Sequence, residues 1–343
     1  MKEILVTDDN IASLKQISSQ LEGSYNVSLA KSGAQALSIC AHERPDLILL
    51  DVEMPDMDGF ETLSALKKNL ALSRIPVIFV TGNRDSATEI RGLELGARDF
   101  ITKPPEKSIL LHRIKLHLRI SSYQAHLEKA VTEMTDGIAV SLADLIECRD
   151  ENTGGHVFRT SQYVELLGRK LLTNGLFEDE LSGDGLAMMV RAAPLHDIGK
   201  IAISDRVLLK PGRLDDEEFE MIKKHAEIGA EILGNMYERT PTQSFLLYAK
   251  KIAASHHERF DGLGYPNGIS GDDIPLYGRI MAVADVYDAL MDDRVYRKKM
   301  VHTEARRIIS NGSRTQFDPR IVEVFDAFHI EFAELARQGA LIR

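Results

Sequence analysis

Five histidines and two aspartates lie between His156 and Asp285 in settings suited to metal chemistry. The centre of the pattern is His196-Asp197-Ile198-Gly199-Lys200. Its adjacent His and Asp supply a neutral imidazole and a carboxylate, and the two carboxylate oxygens can bridge a pair of cations. His156 lies upstream, and His225, the doublet His256-His257 and Asp285 follow. That is enough for two half-shells with positions left for water, the arrangement that hydrolyses phosphate esters. Carboxylates and glycine breaks accompany these five histidines, whereas His42, His112, His117, His126, His302 and His329 lie in no motif and read as hydrogen-bonded core residues.

A second group of reactive residues falls in the first 120 positions. Short apolar runs alternate there with amphipathic stretches, as in a doubly wound parallel sheet. The candidate strands are Ile4-Leu5-Val6, Val27-Ser28-Leu29, Leu47-Ile48-Leu49-Leu50, Val77-Ile78-Phe79-Val80 and Asp99-Phe100-Ile101. Ligands gather at the carboxyl ends of such strands. Asp8 and Asp9 follow the first run, Asp51 ends the third, Thr81 the fourth, and Lys103 follows the fifth. Converging carboxylates repel one another unless a hard cation such as Mg²⁺ sits among them. Asp51 is then the candidate phosphoryl acceptor, with Thr81 and Lys103 to bind and neutralise the added group.

Length and composition set the frame. A chain of 343 residues suggests two domains. Its net charge of −10 argues against a broad nucleic-acid surface, so no DNA partner is expected. The absence of a long apolar run or an apolar leader predicts a cytoplasmic protein without membrane insertion. Only Cys40 and Cys148 occur, which reads as two small apolar fillers rather than a disulfide or thiolate site.

The expected organisation is an α/β domain over 1–120, a helical linker over 105–150 that overlaps its last helix, and an all-α domain over 140–343. In the linker Leu116, Ile120, Tyr123, Leu127, Ala130 and Met134 alternate steps of four and three. This predicts a two-helix seam and a homodimer, with Gly137 ending or bending the helix. Beyond it, helical periodicity dominates and glycine-rich breaks fall beside the candidate ligands.

Asp8-Asp9, Asp51-Val52-Glu53-Met54-Pro55-Asp56-Met57-Asp58-Gly59, Val80-Thr81-Gly82 and Lys103-Pro104 resemble the receiver domain of bacterial two-component response regulators, which has a flavodoxin-like five-stranded fold. The resemblance implies phosphorylation of Asp51 by a cognate sensor histidine kinase. It also implies Mg²⁺ held by Asp8, Asp9, Asp51 and the backbone of Glu53, and a switch formed by Thr81, Phe100 and Lys103.

The second half is similar to the HD-GYP family. The similarity is carried by His196-Asp197-Ile198-Gly199-Lys200, His225-Ala226, His256-His257-Glu258-Arg259, Asp261-Gly262-Leu263-Gly264-Tyr265-Pro266 and Asp285-Val286-Tyr287-Asp288-Ala289-Leu290. It continues through Asp293-Arg294-Val295-Tyr296-Arg297-Lys298 and Phe317-Asp318-Pro319. Members hydrolyse cyclic di-GMP to pGpG and in many cases to GMP. The resemblance implies one metal on His156, His196, Asp197 and Asp285 and another on Asp197, His225, His256 and His257. A hydroxide between them would attack phosphorus, with Asp197 and Lys200 as catalytic residues. Arg294, Arg297 and Lys298 would contact substrate, and Gly264-Tyr265-Pro266 would face substrate or partners rather than metal.

Imidazole and carboxylate donors suit Fe, Mn, Zn, Ni or Co, and the family favours Fe or Mn. Some members gain a third metal through a Glu four residues before the first ligand His. Asn152 stands there in this chain, with Glu151 beside it, so two metals are expected. The alternative reading is a weakly active or inactive sensor of cyclic di-GMP that docks diguanylate cyclases. The complete ligand set favours the enzyme.

Overall fold

Runs of Leu, Ile and Val become a parallel sheet because successive side chains point to opposite faces, and both faces are covered by helices. The strands are β1 (Glu3–Thr7), β2 (Asn26–Ala30), β3 (Leu47–Asp51), β4 (Val77–Thr81) and β5 (Asp99–Thr102), in the order β2-β1-β3-β4-β5. The alternation is visible in β3: Leu47 and Leu49 join a core with Leu14, Ile17, Leu110 and Ile114, while Ile48 and Leu50 join the opposite core with Phe60, Leu63 and Phe100. The computed structural model describes residues 1–69, 71–82, 86–149, 155–292 and 299–339.

The crossover helices are α1 (Ile11–Leu21), α2 (Gly33–Glu43), α3 (Gly59–Lys68) and α4 (Ser86–Glu94), followed by the long α5 (Lys107–Arg149). Asn10 caps α1, and Asp58 with Glu61 forms a capping box on α3, which fixes the loops beside the strand ends. The long helix does not stop at Gly137. A lone glycine costs only about 1 kcal/mol in a helix, and the flanking helix formers outweigh it. Its stripe of Leu116, Tyr123, Leu127 and Met134 is exposed rather than packed on its own domain.

The chain divides into two units, Met1–Val131 and Thr132–Arg343. The second contains the end of α5 and then α6 (His156–Thr173), α7 (Gly183–Ala192), α8 (Asp205–Leu208), α9 (Asp216–Arg239), α10 (Phe245–Ser255), α11 (Leu276–Met291), α12 (His302–Asn311), α13 (Pro319–Ala327) and α14 (His329–Gly339). Its core includes Tyr163 on α6, Tyr287 on α11, Phe325 on α13 and Phe332 on α14. Tyr163 meets Tyr287 edge-on at 5.1 Å, and Tyr287 meets Phe325 likewise at 5.4 Å. Each such buried ring contributes roughly 1.5–3 kcal/mol, so this cluster fixes α6 against α11, the helices that carry His156 and Asp285.

Three of the histidines expected in the core are on the surface: His42, His112 and His126 are exposed. Cys148 is exposed as well, and only Cys40 is buried. Each of these lies on the solvent side of an amphipathic helix, where composition alone does not distinguish it. His117 is buried and pairs with Asp99 at 3.0 Å, whereas His302 and His329 are half-buried, with His302 bonded to Tyr287 at 2.8 Å and to His329 at 3.0 Å.

Candidate functional site

At the carboxyl end of the sheet, Asp8, Asp9 and Asp51 bring one oxygen each within 4.8 Å of one another. Asp8 and Asp51 are buried and Asp9 is exposed. Lys103 Nζ lies 2.6 Å from an oxygen of each buried acid. Burial raises the Asp51 carboxyl above its ordinary value even though Lys103 opposes the shift. Glu53 N points at Asp51 Oδ1 from 3.4 Å, Thr81 is buried at the next strand end, and Phe100 packs inward on Phe79 at 5.1 Å. Asp8, Asp9, Asp51 and Lys103 therefore come together, and Thr81 ends the neighbouring strand β4. The arrangement suits a hard cation and an electrophilic phosphoryl group.

The second centre starts from a turn. Residues Ala193–Leu195 and Ile198–Ala202 form two short 3₁₀ segments that present His196 and Asp197 between them. Gly199 allows this turn to lie on α9, since a Cβ there would sit 2.0 Å from the His225 carbonyl. Asp197 thereby faces two groups at once. Its Oδ1 is 3.2 Å from His225 Nε2 and 3.6 Å from His256 Nε2, and its Oδ2 is 3.4 Å from His196 Nε2 and 2.8 Å from Lys200 Nζ. Two donor clusters result: Asp197, His225, His256 and His257 in one, and His156, His196 and Asp285 in the other.

The imidazoles are turned so that Nε2 faces inward. Nδ1 of His196 donates to the Ala193 carbonyl at 3.0 Å, that of His225 to Ile222 at 2.6 Å, and that of His256 to Ile252 and Ala253 at 3.1 Å. Carbonyls only accept, so each neutral ring keeps its lone pair on Nε2. His156 donates Nδ1–H to Asp288 at 2.8 Å with the same result. When these rings are neutral, Nε2 lone pairs oppose one another at 3.4 Å in the His156–His196 pair and again in the His225–His256 pair. Asp197 Oδ1 is buried with no hydrogen-bond partner among the described residues. Acceptors crowded against acceptors, with their donors committed elsewhere, fit divalent cations and little else.

In the cation-free chain the charges divide these rings, and His196 keeps a proton that a cation would have to displace. Burial pulls His196 down, yet Asp197 beside it carries it up to about 9. Burial and then the neighbouring His256 and His225 hold His257 well below the usual histidine value. Burial would raise Asp197, but Lys200 and His196 keep it well below the ordinary carboxylate range.

The loop after the His doublet folds back on it. Gly264 is required, because a Cβ there would stand 2.4 Å from Arg259 N. Tyr265 N donates to the His257 carbonyl at 3.2 Å, and the Tyr265 ring stacks on the His257 imidazole at 4.7 Å. Tyr265 thus braces a candidate ligand while staying half-buried, a contact to His257 that the sequence reading did not include.

Two further residues belong to the site and were missed in the sequence. Asp288 is buried against His156, and Arg159 grips Asp288 through Nε at 2.6 Å and Nη2 at 2.9 Å. The signal was spacing: Arg159 is three positions after His156 on α6, and Asp288 three after Asp285 on α11, so each shares a helix face with a candidate ligand. Arg294, Arg297 and Lys298 lie outside the described residues, as do Glu151 and Asn152.

The family model for the response regulator receiver domain matches residues 4–115, and that for the HD domain matches residues 141–321. A Vibrio cholerae protein named "Probable cyclic di-GMP phosphodiesterase" is 40% identical over 98% of this chain and 80% of its own length. The Xanthomonas campestris "Cyclic di-GMP phosphodiesterase response regulator RpfG" is 34% identical over 93% of this chain and 86% of its own. A V. cholerae "3'3'-cGAMP-specific phosphodiesterase 2" is 41% identical over 56% of this chain and 34% of its own. No helix among the described residues is long and apolar enough to cross a membrane.

Proposed function

Because the chain belongs to the family of response regulators that join a receiver domain to an HD domain, we propose that it is a phosphorylation-controlled, HD-GYP-type phosphodiesterase that hydrolyses cyclic di-GMP. The observation that carries this is Asp197, whose two oxygens face two separate sets of inward-turned imidazoles. His156, His196 and Asp285 would hold one cation and His225, His256 and His257 the other, with Asp197 facing both.

When bound, two divalent cations activate water and neutralise charge at phosphorus. The chain does the rest. His156, His196, His225 and His256 are locked in one tautomer by their Nδ1 partners, so no reorientation is needed at the moment of reaction. Lys200, 2.8 Å from Asp197, supplies a cation for the developing phosphoryl charge and a proton for the leaving 3′ oxygen. Iron or manganese suits the nitrogen and oxygen donors. The first product is pGpG, with GMP following if the linear dinucleotide re-enters.

In the receiver, Asp51 takes the phosphoryl group from a sensor histidine kinase while Asp8, Asp9 and Glu53 hold Mg²⁺, and Thr81, Lys103 and Phe100 respond to the added charge. The exposed Leu116, Tyr123, Leu127 and Met134 on α5 support a seam with a second copy of the chain.

The test is anaerobic turnover of cyclic di-GMP by the Mn²⁺- or Fe²⁺-loaded chain, with products separated by chromatography and 3′,3′-cGAMP as competing substrate. Asp197→Asn should lower turnover by about 10²-fold or more. Faster hydrolysis of 3′,3′-cGAMP would reassign the substrate. No hydrolysis of either with any divalent cation would overturn the enzyme reading and favour a sensor or docking module.

A further inference from the structure

A buried acid stands beside one half of the cation centre without being one of its clustered donors. Glu147, near the end of α5, is only 8% exposed. Among the described residues its Oε1 has no hydrogen-bond partner and its Oε2 reaches only Val157 N, at 3.5 Å. It shares the wall of a cavity of about 20 Å³ with His156, His196, Asp197 and Lys200. A space of that size admits about one water, and the polar wall offers it several partners.

The position is built rather than accidental. Arg149, two residues on, donates to the carbonyls of Ile201 at 3.1 Å and Ile203 at 3.3 Å, which fixes the end of α5 over the turn that presents His196 and Asp197. Ala143, Ile146, Val157, Pro194 and Ile198 supply the apolar remainder of the wall. An ionised carboxylate so enclosed and so poorly bonded is costly unless positive charge lies close by. Two divalent cations remain in excess over the charges of Asp197 and Asp285, so the centre itself can provide it.

We propose that Glu147 is an outer anion of the cation centre, acting through one water held in this cavity on the cation seated by His156, His196 and Asp285. The inference rests on the metal-dependent reading above. Glu147 is a positioning residue, since those three donors cluster without it. Its negative charge favours filling of that half of the centre, while the half formed by His225, His256 and His257 is indifferent to it. Burial raises its carboxyl above the ordinary value, and His156 is the first group to oppose the shift. The same side chain is therefore a burden on the cation-free fold and an asset to the loaded one.

The experiment is equilibrium binding of Mn²⁺ to the full chain, with metal content measured per chain, together with thermal melting of the cation-free protein. Wild type is expected to take two Mn²⁺. Glu147→Gln should keep one at unchanged affinity and bind the other about 10–100-fold more weakly. The cation-free Gln variant should melt at or above wild type, because the amide relieves a desolvated acid. Glu147→Asp keeps the charge and should hold the weaker cation better than the Gln variant does. Identical isotherms for wild type and the Gln variant would overturn the inference, as would equal loss at both sites or an Asp variant no better than Gln. A cation-free Gln variant that melts below wild type would also overturn it, by marking a purely structural hydrogen bond. Wild type that binds no Mn²⁺ would overturn the cation centre itself, and this proposal with it.

Discussion

Asp288 Oδ2 accepts the Nδ1 proton of His156 at 2.8 Å, and both of its oxygens are held in turn by Arg159. A carboxylate behind an imidazole makes the ring a better donor and fixes its orientation. Asp288→Asn keeps the size but removes the charge, and it leaves Arg159 buried with a weaker partner. The cation held by His156 should bind about 10–100-fold more weakly, whereas the cation on His225, His256 and His257 is unaffected. Metal titration that resolves the two sites checks this, and uniform weakening of both would contradict it.

Asp51 is the only acid of the strand-end cluster that is buried and also lies at a strand terminus, with Lys103 at 2.6 Å. Treatment with a small phosphoryl donor and Mg²⁺ should add one phosphoryl mass to the wild-type chain and none to Asp51→Asn. Intact-mass spectrometry reads the result directly. Modification that persists in the Asn variant would move the acceptor elsewhere.

Gly199→Ala tests how closely the metal-bearing turn sits on α9. The added methyl would meet the His225 carbonyl at 2.0 Å, a contact that neither main chain can absorb without moving. Overpacking of this kind costs about 1–3 kcal/mol. The larger effect should be on cation affinity, because Asp197 and His225 must separate. A variant with reduced melting temperature but unchanged cation binding would show that the turn adjusts without opening the centre.

Acid lability should be traceable to Asp318. Its side chain is buried, caps α13 by accepting from Arg320 N at 2.9 Å, and pairs with Arg279 at 2.8 Å and Arg320 at 2.7 Å. Burial would raise its carboxyl, but the Arg320 and Arg279 guanidinium groups outweigh that and lower it. A depressed folded value means that the stabilisation is present above the ordinary carboxylate range and is lost as pH falls through the lower folded value. Asp318→Asn should therefore flatten the acid limb of a stability profile and cost about 3–5 kcal/mol near neutrality, as when one partner of a buried pair is removed. Urea melts across pH measure both, and parallel acid limbs for the two proteins would refute the assignment.

The five strands and the seven candidate metal-centre residues were legible because each leaves a local trace: an apolar run at a strand, or a rare residue type in a short motif. Asp288 and Arg159 leave a weaker one. Their roles require α6 to lie against α11, and only the three-residue offset from His156 and from Asp285 hints at it. Glu147 was hidden for a different reason: it lies in the expected helical linker over 105–150, where nothing local marks one acid among several as part of a pocket wall. The contact of Tyr265 with His257 was not legible because it depends on the close approach of Gly264 to the Arg259 backbone. His42, His112, His126 and Cys148 show the converse, since periodicity places a residue on a helix face only once the buried face is known.

Three of the imidazoles lean on main-chain carbonyls one turn behind them, at Ala193, Ile222 and Ile252. Their aim is thus set by the peptide backbone of the turn beneath them, and neighbouring surface side chains can be exchanged freely without disturbing it. The dependence also runs the other way. Fraying of those turns and escape of the cations become a single event, so chelators should loosen this part of the molecule first, and amide exchange there should report occupancy before any turnover is measured.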